Sequence, residues 1–193
     1  MPTTYAVANV SDQQLEILAR AFSPSLSQAD LYALLAHLNA QTDHRFTGVY
    51  RFEPGWVVSV ALFDREAPDV RFGPDVKMKE SYCWLCGVES GYVIEDARTD
   101  SRLLRHPARD DVRSYVSVPL HDKKESPWGS LCHYDFFPRP ASEESLAHLR
   151  FFRPLIEEMF VRESAAHWDP DASPSERMTR NMMIERGPRF VSV

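Results

Sequence analysis

The chain has 193 residues, of which 44% are hydrophobic and 11% aromatic, enough for one packed domain with terminal appendages. Its formal net charge is −6 at pH 7, and acidic and basic residues are interleaved. The absence of a basic stripe argues against a nucleic-acid surface, and no stretch reaches the ~20 apolar residues of a membrane helix. We therefore expect a globular domain that binds neither nucleic acid nor membrane.

The N-terminal stretch "MPTTYAVANVSDQQ" lacks the basic start and apolar block of a secretory signal. We therefore expect a cytoplasmic protein. In that compartment the three cysteines are expected to be thiols rather than a disulfide framework.

Two helices are predicted at the start of the chain. The stretch "SDQQLEILARAF" (11–22) opens with a capping serine and places Leu15, Leu18 and Phe22 on one stripe. A second helix is predicted over 27–41, where four leucines follow the 0, 3, 4, 7 spacing of a helical face.

The hydrophobic pattern then becomes that of strands. "HRFTGVYRF" and "WVVSVALF" flank a Pro54-Gly55 turn and predict a β-hairpin. A short helix over 80–90, the strand "GYVIED", a charged loop over 97–111 and the strands "SYVSVPL" and "PWGSLCHYDFF" follow. A last helix is predicted from Ser142, with a kink at Pro154. Short connections favour a mostly antiparallel sheet with helices packed on it, an α+β fold.

Four stretches in this order resemble the GAF domain family over residues 27–163. They are "ESYCWLCGVESGYVIEDARTDSRLLRHP", "RSYVSVPL", "WGSLCHYDFFPR" and the closing helix. The resemblance implies a six-stranded antiparallel sheet with the terminal helices on one face. Short helices and loops would cover a small-molecule pocket on the other face. The chain is thus divided into an N-terminal helical extension (1–26), the GAF domain (27–163) and a C-terminal tail or arm (164–193).

The same resemblance implies a sensor in signal transduction. We expect a non-enzymatic module that binds a small molecule and signals through protein contacts, with a separate signalling partner protein. The extra apolar stripe over 11–22 predicts a homodimer through the terminal helices. The sequence leaves the ligand, and any cofactor, unidentified, because a fold does not fix its ligand.

The cysteines allow a second interpretation. Cys83 and Cys86 lie three apart, on one face of the predicted short helix, and Ser81 is placed to cap it so that the helix dipole favours a thiolate at Cys83. The pair is either a redox switch or a set of small buried hydrophobic residues. Cys132 extends the redox candidates to a cluster of three. Its neighbour His133 points to the opposite face of a strand, so no native metal site is expected.

A redox enzyme is the disfavoured alternative. The free methionine-(R)-sulfoxide reductases are GAF proteins whose catalytic cysteine lies in the pocket loop, and here that region (97–119) contains none. Phytochrome GAF domains are similar along "WGSLCHYDFFPR". They attach a bilin through a loop cysteine or one on an N-terminal extension, and neither cysteine is present here.

Strand alternation predicts which residues face the pocket. Cys132 and Tyr134 are expected on the pocket face with Tyr115, near Cys83, while His133 points away. Ser117 and Ser130 fall on the same side. At the rim, Asp96 either contacts the ligand or takes part in a loop-stabilising ion pair. Arg113 either receives an anionic ligand or is a solvated surface charge. The candidate ligand-binding residues are therefore Cys83, Asp96, Arg113, Tyr115, Cys132 and Tyr134.

Overall fold

The computed structural model describes residues 28–86, 91–141 and 143–167, with side chains described from 29 to 160 within those ranges. The predicted N-terminal helix over 11–22 and most of the C-terminal tail lie outside the described residues. The described residues up to Met159 belong to one compact unit, which contains the fold described below, and those from Phe160 belong to a second. Among the described residues no helix is long and apolar enough to span a membrane.

The described part of the chain forms a six-stranded antiparallel sheet with helices, as the sequence predicts. Its elements are, in chain order, α1 (Gln28–Asn39), β1 (Phe46–Glu53), β2 (Trp56–Asp64), β3 (Val76–Lys77), α2 (Cys83–Cys86), β4 (Tyr92–Ile94), β5 (Ser114–His121), β6 (Pro127–Asp135) and α3 (Glu143–His167). Single 3-10 turns lie at Met78–Glu80, Ser101–Leu103 and Pro107–Arg109. The strand order is β3-β2-β1-β6-β5-β4.

The region of the predicted helix over 80–90 differs from expectation. Only one α-helical turn, α2, is present in its described part, and a 3-10 turn precedes it. The Ser81 hydroxyl accepts a hydrogen bond from the Cys83 backbone N–H at 3.1 Å, which satisfies a donor at the start of α2. The short strand β3 has no signal in the hydrophobic pattern, because two residues are too few to show alternation. The last helix, α3, is helical on both sides of Pro154 and extends to His167.

The two long helices lie side by side on one face of the sheet, which confirms the predicted placement. The buried leucines of α1 pack against β1 and β2. On α3, the Phe152 ring lies 5.7 Å from the His37 ring of α1. The Glu157 carboxylate of α3 accepts a hydrogen bond from the His121 backbone N–H, at the end of β5, at 2.7 Å. These contacts bury the apolar stripes of both helices against the same side of the sheet.

A buried polar chain connects α1 to the centre of this helix-covered face. The Asn39 side-chain amide donates to Thr47 Oγ1 at 2.9 Å, and Thr47 Oγ1 lies 2.8 Å from His133 Nδ1. The His44 ring stacks on the His133 ring at 6.0 Å. Burial lowers the pKa of His44 to about 4. Burial and the nearby His44 ring together lower the pKa of His133 to about 3. Asp135 and Asp43 favour protonation of His44, whereas the cationic groups Arg65 and Arg139 oppose it.

These histidines predict that the fold loses stability in mild acid. Both are neutral when folded and bind protons near pH 6.5 when unfolded, so their contribution is complete above that pH and falls as the pH drops. As the pH falls below about 6.5, each histidine that stays neutral in the fold lowers the free energy of unfolding by up to about 1.4 kcal/mol per pH unit. Urea unfolding between pH 7 and about pH 5 should show this loss. The variant His133→Asn should show a shallower slope, and an unchanged slope would contradict the assignment.

Candidate functional site

The opposite face of the sheet carries a set of hydroxyl, thiol and aromatic side chains. In the register of β5 and β6, Tyr115 pairs with Tyr134, and Ser117 with Cys132. Paired residues point to the same face of a sheet, so these four side chains lie together and His133 lies on the other side. This is the arrangement that alternation predicts. We call the set, with Ser130 and the residues that cover it, the thiol-hydroxyl site.

The turn α2 covers this site and supplies two further thiols. It lies against β5 and β6, and both of its cysteines are buried. The Cys83 and Cys132 side chains lie in the same buried cluster. The Cys86 thiol instead donates to the Cys83 backbone oxygen at 2.9 Å. The three cysteines predicted to cluster are therefore together, all as free thiols.

A glycine on β1 makes room for the aromatic wall of the site. Gly48 lies opposite Cys132, and a Cβ atom there would be 2.9 Å from a ring carbon of Tyr50 and 3.2 Å from the Ala61 carbonyl oxygen. The bare backbone thus allows the Tyr50 ring to lie over it. The hydroxyls of Tyr50 and Tyr134 are 3.1 Å apart, and the Cys132 thiol donates to the Gly48 carbonyl oxygen at 3.7 Å.

Several buried hydroxyls of the site lack an oxygen or nitrogen partner among the described residues. They belong to Tyr82, Tyr115, Ser117 and Ser130, whose exposed fractions are 2%, 3%, 0% and 0%. The polar groups that face the Tyr115, Ser117 and Ser130 hydroxyls are the sulfurs of Cys83 and Cys86. Sulfur is a weak hydrogen-bond partner, and each poorly satisfied buried hydroxyl costs about 1–3 kcal/mol. The site therefore has unused hydrogen-bonding capacity.

The three thiols differ in acidity. The hydrogen bond from Cys132 lowers the pKa of Cys83; burial opposes this, and donors on Ser130, Ser81 and Tyr115 add to it. Burial raises the pKa of Cys86 to about 12, and it raises that of Cys132 as well. Cys83 is therefore the thiol that ionises first, and neighbouring donors stabilise its thiolate. A contribution from the helix dipole stays a prediction, since only four residues of α2 are described.

The rim residues Asp96 and Arg113 bind each other. Nε and Nη2 of Arg113 donate to the carboxylate at 2.8–3.0 Å, and Asp96 also accepts from the Arg98 backbone N–H at 3.0 Å. Desolvation by itself would raise the pKa of Asp96, but these hydrogen bonds lower it. The pair fixes the start of the loop to the entry of β5. A ligand contact by either residue stays a prediction.

Sequence reasoning missed part of this site. Ser117 and Ser130 lie on the expected face, but a serine in a strand carries no signal that its hydroxyl is unpartnered. Tyr82 and His106 could not be placed from the pattern, because both lie outside regular strands. Their rings are 4.4 Å apart, and the Tyr82 ring is 5.6 Å from that of Tyr115.

Among the described residues, no group of three or more His, Cys, Asp or Glu side chains is arranged to hold a metal ion.

Comparisons with solved structures identify the fold as that of a GAF domain. The GAF domain of an Acinetobacter phosphoenolpyruvate-protein phosphotransferase is 18% identical, with a TM-score of 0.62 over 84% of this chain and 100% of that chain. The phycocyanobilin-bound GAF domain of a cyanobacterial phytochrome gives the same four values. The free methionine-R-sulfoxide reductase of Neisseria meningitidis, in complex with its substrate, is 17% identical, with a TM-score of 0.60 over 82% of this chain and 96% of that chain. No family model and no curated protein matches the sequence. At this identity the likeness establishes the fold alone.

The hydrogen bond between the two thiols predicts how Cys83 titrates. Its apparent pKa, followed by the ultraviolet absorbance of the thiolate, should lie below the value of about 8.5 for a free cysteine. Cys132→Ala removes the principal donor and should raise this pKa. Cys86→Ala removes a thiol that is bonded to backbone instead, and should raise it less. Equal shifts in the two variants would show that Cys132 is not the stabilising donor.

Proposed function

We propose that this chain is a non-enzymatic sensor module that binds a small molecule non-covalently at the thiol-hydroxyl site. The observation that carries the proposal is the group of buried hydroxyls on Tyr115, Ser117 and Ser130 that lack an oxygen or nitrogen partner. Buried polar groups of native proteins are nearly always satisfied, so an unsatisfied cluster on one face favours a bound partner. The GAF fold supports this, since one similar structure has phycocyanobilin bound and another is in complex with its substrate.

The composition of the site indicates the kind of ligand. Rings of Tyr50, Tyr115 and Tyr134 and the side chain of Ile94 provide apolar and aromatic surface. The hydroxyls supply donors and acceptors at a few fixed positions. A small, partly apolar molecule with oxygen or nitrogen atoms fits this combination. The proposed contacts are Cys132, Tyr115 and Tyr134 from the strands and Cys83 from α2, with Asp96 or Arg113 at the rim.

A sulfoxide reductase is less well supported. The likeness to the Neisseria enzyme carries the fold alone at 17% identity. The loop over 97–113 contains no cysteine, and the cysteines of the site lie instead on α2 and β6. We therefore propose a binding module rather than this enzyme.

The binding proposal predicts a ligand that depends on one hydroxyl. Native mass spectrometry of freshly purified protein should show a bound mass that is lost on denaturation. Tyr115→Phe removes only the hydroxyl and should reduce occupancy by about 2- to 10-fold, the effect of one hydrogen bond. The matched control is Tyr32→Phe, since the Tyr32 hydroxyl on α1 donates to the Pro68 carbonyl oxygen instead. No bound mass, even after incubation with a cell extract, or equal occupancy in both variants would contradict the proposal.

We further propose that the protein signals through protein contacts as a homodimer formed by its terminal helices. On α3, Phe151 is 52% exposed beside the buried Phe152, which leaves an aromatic ring for a partner surface. Light scattering at micromolar concentration should give the mass of a dimer, and Phe151→Glu should give that of a monomer. Phe137→Glu, at a 67% exposed position after β6, should remain dimeric. A monomeric wild-type protein would refute this arrangement.

A further inference from the structure

We propose that Cys83 and Cys132 form a peroxide-sensitive dithiol, in which Cys83 is oxidised first and Cys132 then closes a disulfide between α2 and β6. The proposal rests on how the thiols and hydroxyls are packed. It does not require the site to hold a ligand.

The geometry selects Cys132 as the partner of Cys83. Cys83 and Cys132 lie in the same buried cluster, and α2 lies against β6, so the two thiols come together at the contact between helix and sheet. Cys86 is closer in sequence, but its thiol donates to the Cys83 backbone oxygen at 2.9 Å. That contact directs the Cys86 sulfur at the backbone. The Cys132 thiol also donates to backbone, to the Gly48 carbonyl oxygen, but at 3.7 Å this contact is longer and holds the sulfur less firmly. A bond from Cys83 to Cys132 therefore needs the least rearrangement.

The surroundings of Cys83 favour it as the attacking group. Donors on Cys132, Ser130, Ser81 and Tyr115 converge on its sulfur and stabilise a thiolate, which is the nucleophilic form. Its exposed fraction is 4%, against 0% for Cys132, and the next residue, Trp84, is exposed. Cys83 is thus the slightly more exposed of two buried residues. Cys132 lies behind it, in the sheet.

The proposed oxidation proceeds in two balanced steps. The Cys83 thiolate attacks one oxygen of hydrogen peroxide, the O–O bond breaks, and hydroxide leaves; the product is the sulfenic acid of Cys83. The Cys132 sulfur then attacks the Cys83 sulfur, the S–O bond breaks, and the hydroxide that leaves takes the Cys132 proton to form water. Two sulfur atoms lose two electrons in total, and the peroxide gains them.

The disulfide would alter the thiol-hydroxyl site directly. It consumes the thiolate that Ser130 and Tyr115 face, and it fixes α2 against β6. The hydroxyls of Ser130 and Tyr115 would lose the Cys83 thiolate as an acceptor. Oxidation would thereby change both the polarity and the mobility of the cover over the site, which gives the protein a redox response of its own.

The test is to map cysteines in the full-length protein after treatment with hydrogen peroxide. Remaining thiols are blocked with iodoacetamide in denaturant, and chymotrypsin is used because cleavage at Trp84 and Leu85 separates Cys83 from Cys86. We expect a cross-linked peptide pair joining Cys83 and Cys132, absent without peroxide and lost on reduction. Cys86→Ala should form the same link at a similar rate. Cys132→Ala should instead accumulate a sulfenic acid at Cys83 that is captured by dimedone.

The wild-type map decides the proposal even if a variant fails to fold. A link between Cys83 and Cys86, an unlinked Cys83 that is oxidised no faster than Cys132, or three unmodified thiols would overturn it. Loss of the link in a folded Cys86→Ala protein would also overturn it. The outcome is independent of ligand binding, because a protein that forms the link but carries no bound molecule supports the dithiol and refutes only the binding proposal.

Discussion

The pleat of β6 is the constraint on which both faces of the sheet depend. Neighbouring residues of a strand point to opposite faces, so Cys132 and His133 are separated by the sheet although they are adjacent in sequence. His133 joins the polar chain under the long helices, whereas Cys132 meets Cys83. A shift of one residue in the register of β6 would exchange the two and leave each buried beside the wrong partners. The central strands thus fix two buried polar clusters at once.

The hydroxyls of the two clusters are satisfied to different degrees, and this difference points to function. On the helix-covered face, Thr47 receives a hydrogen bond from Asn39 and contacts His133, so its polar atoms are used in holding the fold together. On the opposite face, the hydroxyls of Ser117 and Ser130 have only sulfur near them. A domain tolerates such a cost where the groups serve another purpose. Binding and thiol chemistry are the two purposes that this set of side chains supports.

Much of the fold could be predicted because its signals are periodic. The leucine spacing of α1 and the alternation along β5 and β6 each repeat often enough to identify the element and its faces, and the GAF-like order of motifs supplied the sheet. Elements without a repeat were harder to predict, because β3 has only two residues and α2 is described over a single turn. In the site, the cysteine cluster followed from strand alternation combined with the GAF-like placement of α2. The pairing of Cys83 with Cys132 rather than Cys86 did not, because it depends on where α2 sits on the sheet.

A high-resolution crystal structure of freshly purified, reduced protein tests the central claim most directly, which is that the thiol-hydroxyl site is completed from outside the chain. We expect electron density for a small molecule within hydrogen-bonding distance of the Tyr115 hydroxyl and of Ser117 or Ser130. Density showing those hydroxyls bonded to protein oxygen or nitrogen atoms, with no other molecule on that face of the sheet, would contradict it.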